Sequence, residues 1–301
     1  MEFGKAPAAL LEKIDFTLPP DPPETTKVLR QHRGKGKPEF YVGCAKWGRK
    51  DWIGKLYPPG TKEKDFLKYY AKIFNSIEFN GFFYSNHSRE QVQKWREQVP
   101  EGFKFCPKFT QFITHYKRLK DTRHEVDTFL SVIDAFGDTL GPVFLMPHPQ
   151  MGLSQLPVIE AFLDGLPADL EVFLELRHED FYTGDDGYNR ELYDFLREHG
   201  RGTVITDAAG RRDCVHMHLS VPECFIRFVG NALHPTDYSR IDDWVERISA
   251  WAKEGLKTCY FFMHQHDELH SPELIRYFIG QLNRHCDTGL TLPPPQNGAL
   301  F

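Results

Sequence analysis

The chain of 301 residues is 41% hydrophobic and 26% charged, a balance that can bury a large core and excludes a mainly disordered protein. Its net charge of -5 excludes a surface-wide positive excess for coating nucleic acid. No apolar run reaches the roughly 18 residues of a membrane helix, and the opening MEFGKAPAALLEKIDF lacks a secretory pattern, so a cytoplasmic protein with no membrane partner is expected.

Residues 1 to 37 hold LPPDPPE (18 to 24) and RGKGK (33 to 37) with little apolar periodicity, and are expected to form an arm or linker. The domain proper is expected over 38 to 285. A tail follows over 286 to 301, whose consecutive prolines can neither continue a helix nor join a central strand. Within the domain, short β-rich runs alternate with helical patterns. The first strand is predicted at Phe40 to Cys44, before the helical stretch KEKDFLKYYAKIF. The second, Ser76 to Asn80, precedes SREQVQKWREQV, and the third, Phe103 to Lys108, precedes TRHEVDTFLSVIDAF. The fourth and fifth, Val143 to Met146 and Leu170 to Leu176, enclose LPVIEAFLDGL, and YNRELYDFLREHG leads to the sixth at Gly202 to Asp207. The seventh and eighth, Cys224 to Phe228 and Thr258 to Met263, flank DYSRIDDWVERISAWAKEG, and SPELIRYFIGQLNRH closes the series. Ser88 and Ser271 are expected N-caps, Pro272 suits a first turn, and Gly137, Gly200 and Gly255 sit at expected helix ends. Eight successive βα steps predict an α/β fold, a (β/α)8 TIM-type barrel with an N-terminal extension. An open doubly wound sheet is the alternative, but no GxGxxG or GxxxxGK[ST] follows any strand. The six cysteines are widely spaced without a CxxC pair, which reads as reduced, buried thiols.

Barrel proteins carry their chemistry at the C-terminal ends of strands. There the second strand offers Glu78 and Asn80 on one face, the third Lys108 with His115 beyond it, and the fifth Glu175 and Arg177. Asp207 ends the sixth, Arg227 lies in the seventh, and His264 and His266 follow the eighth. Carboxylates inside a barrel need cations or a metal beside them. The residues therefore fit either a structural salt-bridge network capping the core or a site orienting a small polar ligand.

The stretches YVGCAKWGRKDWIGKLYPPG (41 to 60), IEFNGFFY (77 to 84), WREQVPEGFKFCPKFTQFITH (95 to 115), LGPVFLMPHP (140 to 149), VFLELRHEDF (172 to 181) and FIRFVGN (225 to 231) resemble the YecE-like family, domain of unknown function seventy-two, over about residues 39 to 285. The resemblance implies a TIM-type barrel and no settled activity. It implies that Glu78, Asn80, Tyr84, Lys108, His115, Glu175, Arg177, His178 and Arg227 match the family's recurrent polar positions. The chain departs from that pattern at Lys46 (for Gly), Met146 (for Gln), Phe181 (for Trp) and Val229 (for His), and in MHQHDE (263 to 268).

Several chemistries remain open on these residues. Glu78 and Glu175 are candidate acid-base catalysts of a hydrolase or isomerase if their pKa values are pushed apart. Asn80, Tyr84, Lys108, His115, Arg177, His178, Asp207, Arg227 and Trp47 are candidate ligand-binding groups, for an anionic or sugar-like small molecule. Trp47, Trp52 and Tyr57 could stack on such a ligand or merely pack the loops. His264 and His266 with the acids could hold a divalent metal, but Lys108, Arg177 and Arg227 compete for the same carboxylates, and His216 and His218 repeat the spacing by chance. No resident cofactor or metal is expected. Cys44 could face the mouth with His115 as base, against the plainer reading of a buried inert thiol. A non-catalytic phosphate-binding or nucleic-acid-binding module would use the same cations. Oligomeric state is not legible.

Overall fold

The computed structural model describes residues 3–183 and 189–295. The start of the predicted stretch at Tyr188 and the tail beyond 295 lie outside them. Among the described residues eight parallel strands alternate with helices: β1 (Glu39–Cys44), β2 (Ser76–Phe79), β3 (Lys104–Pro107), β4 (Val143–Leu145), β5 (Val172–Leu174), β6 (Gly202–Asp207), β7 (Glu223–Gly230) and β8 (Thr258–Gln265). The α-helices are α1 (Pro23–His32), α2 (Phe66–Tyr70), α3 (Gly81–Tyr84), α4 (Arg89–Arg96), α5 (Arg123–Ile133), α6 (Leu156–Asp164), α7 (Arg190–Glu198), α8 (Pro235–Glu254) and α9 (Ser271–Cys286). Ser88 caps α4 by accepting from Gln91 N (3.3 Å). Ser271 does not cap α9; His270 takes that position, and the Ser271 hydroxyl donates to Glu268 (2.6 Å).

The strands form a curled six-stranded parallel sheet in the order β1-β8-β7-β6-β5-β4, with β2 and β3 as a second parallel pair. Strand alternation divides the core. One set of side chains, Cys106, Phe144, Phe173, Val204, Phe225, Tyr260 and Phe262, fills the concave side; the other packs a much larger apolar layer under the helices. No helix among the described residues is long and apolar enough to cross a membrane.

Among the described residues the strand pairing is interrupted at two places and does not run as a continuous ladder. Between β3 and β4 only isolated bridges form, Phe105 with Leu140 and Lys108 with Phe144. Between β1 and β2 side chains stand in for the ladder. Asn75 accepts from Val42 N (2.8 Å) and donates to Phe40 O (2.7 Å), while the Tyr70 hydroxyl accepts from Cys44 N (2.7 Å) and donates to Ser76 O (2.9 Å). These contacts satisfy buried backbone groups that would otherwise be orphaned. They also demand a glycine at 43, where a Cβ would lie 1.9 Å from Ser76 O and 2.6 Å from the Tyr70 hydroxyl. Gly43→Ala is expected to destabilise the protein by about 1–3 kcal/mol by overpacking this junction, read from the urea midpoint at unchanged slope.

The N-terminal stretch expected to be an arm carries a helix that the sequence concealed. In α1 only Val28 and Leu29 are apolar and buried, too few to show a helical repeat. It is held from outside: Thr25 Oγ1 donates to Met217 O and accepts from Leu219 N, both at 2.9 Å. Asp21 accepts from Trp251 Nε1 (2.9 Å) and Arg247 (2.6 Å) on α8. Gly255 ends α8 with φ +124° where a Cβ would meet Leu29 O at 2.1 Å, so α1 closes onto the end of α8.

Candidate functional site

At the C-terminal ends of the strands, the concave side changes from aromatic to charged. Arg227, from β7, is 2% exposed and uses its whole guanidinium. Nε and Nη2 donate to Glu78 of β2 (2.8 Å each), and Nη1 donates to both oxygens of Glu175, just after β5 (2.7 Å each). This is the bidentate geometry that suits a guanidinium. Glu78 also accepts from Asn80 Nδ2 (2.7 Å) and His264 Nε2 (2.8 Å). Glu175 also accepts from Thr206 Oγ1 (3.1 Å) and from Arg177 Nε and Nη2 (3.2 and 3.1 Å).

Burial alone would push both carboxyls up. Arg227 and His264 more than reverse it for Glu78, which is held well below the usual carboxylate range. Arg177, Arg227 and Lys108 do the same for Glu175, which falls to about 2. Both are therefore ionised at neutral pH, and the expectation of one raised carboxyl acting as an acid is not met in this arrangement. The two carboxylates and Arg227 meet as the sequence suggested, but they are sealed at 0–2% exposure.

Above that sealed tier lie groups nearer to solvent. Arg177 keeps 13% of its side chain exposed. Lys108, directly after β3, is 5% exposed, and its ammonium lies 4.2 Å over the Phe83 ring and 5.4 Å over Phe144. Its hydrogen bond goes to the Met146 sulfur at 3.3 Å, a weak acceptor supplied by one of the departures from the expected pattern. Burial, then Arg227, pull its pKa from the ordinary value to about 7. His115 lies in a single π-turn, Phe112–Tyr116, a distortion frequent at functional sites. Its Nδ1 is 2.8 Å from Thr114 Oγ1, its ring meets Phe83 edge-on at 5.0 Å, and burial and Lys108 hold it down at about 4.

The remaining candidates are dispersed. Tyr84 is 72% exposed, edge-on to Phe83. His178 stands at the rim, half-buried, and caps a short turn by accepting from Asp180 N (3.3 Å). Trp47 stacks on Phe79 at 5.0 Å and packs into the apolar layer under the helices. Asp207 is separated from the other acids. Thr206 faces the concave side, so alternation sends Asp207 outward, where Trp244 (2.6 Å), Arg240 (2.7 Å) and Arg212 bind it. Cys44 likewise points to the convex layer, fully buried, its thiol pushed well up by burial. His216 and His218 pack against Tyr193, and burial lowers them to about 4 and about 3. Among the described residues, no group of three or more His, Cys, Asp or Glu side chains could hold a metal ion.

Sequence reasoning missed Thr206, although alternation back from Asp207 would have found it. It also missed Phe3, whose ring lies 4.1 Å from the Arg177 guanidinium and 5.0 Å from that of Arg211. The first segment is fixed there by Gly210 N donating to Gly4 O (2.7 Å). A wide open cavity of 820 Å³ lies at the other ends of the strands, among Lys37, Asn75, Phe103 and Leu290, remote from the charged set.

Comparisons with known proteins agree on a relationship without a described activity. UPF0759 protein YecE of Escherichia coli (strain K12) is 27% identical over 280 residues, covering 87% of this chain and all of that protein. The crystal structure of a DUF72 family protein from Enterococcus faecalis V583 matches with a TM-score of 0.64 at 18% identity, over 85% of this chain and 99% of that one. A DUF72 family protein from Thermotoga maritima MSB8 matches with a TM-score of 0.57 at 22% identity, over 75% and 92%. At such identities the structural likeness speaks for the fold alone. The sequence profile described as "Protein of unknown function DUF72" matches residues 41–298, most of the chain, and the protein belongs to that family.

Proposed function

We propose that this protein is a closed (β/α)8 barrel that binds a small anionic metabolite at the C-terminal mouth of its strands. Closure is supported by the concave cluster, to which β3 to β8 each contribute a side chain while Tyr41 of β1 packs against it. The Asn75 and Tyr70 bridges support it at the β1–β2 junction. A cytoplasmic setting is supported by the six free cysteines.

The observation that carries the ligand reading is a charge count. Lys108, Arg177 and Arg227 face Glu78 and Glu175, so three cations share two carboxylates, and both carboxylates are already bound to Arg227. A buried ammonium with only a sulfur acceptor is the group most in need of an anion. A carboxylate or phosphate reaching it would pass Arg177, whose Nε and Nη2 serve Glu175 and whose Nη1 is left for a ligand. The ring of Phe3 would be displaced from Arg177 on the way.

Calorimetry with inorganic phosphate and a panel of small carboxylates tests this. Arg177→Ala is expected to weaken binding by about 10–100-fold, and Phe3→Ala to leave it equal or stronger. Because an anion favours the Lys108 ammonium, binding at pH 7 is expected to take up a fraction of a proton, seen as a buffer-dependent enthalpy. Absence of binding by every anion in the panel would overturn the reading.

A further inference from the structure

We propose that Lys108 is a nucleophile that condenses with the carbonyl group of an anionic substrate, an aldehyde or ketone bearing a carboxylate or phosphate, to form an imine. The proposal rests on the anion site above and names the class of ligand that would use it.

The case begins with what surrounds the ammonium. A lysine placed in a barrel for charge balance is expected to donate to carboxylates, yet Glu78 and Glu175 give their strong bonds to Arg227, Arg177, Asn80 and His264. Lys108 instead ends in a cage of Phe83, Phe144 and Met146. The ring faces return part of the hydration it has lost, but they offer no proton acceptor. Arg227 is a second cation against it, and desolvation with a neighbouring cation is the combination that makes an amine available unprotonated. The backbone holds the position: Lys108 N donates to Phe79 O (3.1 Å) and Phe109 N to Phe144 O (3.1 Å), tying the residue to β2 and β4.

The neighbours supply the other parts. Arg177, whose Nε and Nη2 are held by Glu175, offers its Nη1 to the substrate's anionic end. His115 and Lys108 share the Phe83 ring, and His115 is neutral at pH 7, with Thr114 fixing its Nδ1 side. In the reaction the neutral amine attacks the carbonyl carbon, the C=O π bond breaks as the C–N bond forms, and the oxygen takes a proton from solvent to give a carbinolamine. The nitrogen gives up one proton to His115, which returns it to the hydroxyl. Water then leaves as the C=N bond forms, so amine, carbonyl and one proton from solvent yield a protonated imine and water. No oxidant or reductant is consumed.

The full chain is incubated at pH 7 with glyoxylate, pyruvate or glycolaldehyde phosphate and sodium cyanoborohydride, which reduces the imine to a stable secondary amine, and lysine labelling is mapped by mass spectrometry. Lys108 is expected to be labelled at least about tenfold faster than the exposed lysines, and inorganic phosphate to slow it. Met146→Gln places an amide oxygen where the sulfur stands, favours the ammonium, and is expected to slow labelling several-fold at pH 7 and move its pH profile upward. Lys108→Arg is expected to abolish the fast adduct in protein that still melts cooperatively. If phosphate binds but Lys108 reacts no faster than surface lysines with all three compounds, the imine proposal falls and the anion site stands. If neither phosphate nor these compounds bind and Lys108 is unlabelled, both fall. Equal labelling by uncharged glycolaldehyde would overturn the anionic part of the substrate assignment.

Discussion

Arg227→Met is expected to cost the protein about 3–5 kcal/mol at pH 7, the loss typical when one member of a buried ion network is removed. The guanidinium makes four hydrogen bonds to Glu78 and Glu175, which are 0% and 1% exposed, and no other described group is placed to take over both. The pH dependence has a definite sign. In the native protein both carboxyls lie below their unfolded values, so their contribution is complete above about pH 4.5 and is lost as pH falls toward about 2. Without Arg227, burial is opposed only by Arg177 and Lys108 at Glu175 and by His264 at Glu78, so both carboxyls move up, and the variant recovers relative to the native protein as the pH falls and they are protonated. Adding Glu78→Gln and Glu175→Gln to Arg227→Met is expected to restore part of the loss, because the two buried carboxylates are then neutral amides and only the Lys108 and Arg177 charges remain without them. Urea unfolding of the native, single and triple variants at pH 4 and pH 7 measures all of this. A single variant within about 1 kcal/mol of native at pH 7 would show that the tier does not hold the strand ends together.

Lys108→Met is expected to act in the opposite direction, stabilising the fold by about 1–4 kcal/mol at pH 6, in the range seen when buried ions give way to apolar residues of similar size. The unfolded lysine keeps its proton to about pH 10.4, whereas burial makes the folded one release it near pH 7. Between those values the unfolded chain binds more protons, so native stability climbs with pH, and the variant lacks that slope. The gap is therefore full below pH 7 and closes toward pH 10. Thermal or urea unfolding at pH 6 and pH 9 checks it. A variant less stable than native at pH 6 would mean that the Phe83 and Phe144 faces outweigh the desolvation of the ammonium. A charged group that weakens its own fold is the kind of feature kept for binding or chemistry.

The strands were the most legible part of the chain. β6 was predicted residue for residue at Gly202–Asp207, and the other seven differ by a few residues at their ends. Alternation placed Glu78 with Asn80 and Glu175 with Arg177, and the structure shows each pair bonded. The same rule was not carried through at β6, where Thr206 turns inward and Asp207 joins Arg240 and Trp244 beneath the helices. Helix α1 was invisible because its reason to be helical lies in α8 and the loop at Met217, not in its own pattern.

The sequence by itself determined the βα order, the strand faces and the identity of the charged residues at the strand ends, because periodicity and residue type are local properties of the chain. Only the tertiary structure decided who pairs with whom. Glu78 and Arg227 are 149 residues apart, and Arg177, in the middle of the chain, meets Phe3 from its start. Whether a carboxylate is ionised, or an ammonium left with a sulfur for a partner, depends on distances and desolvation that exist only once the strands have brought these groups together.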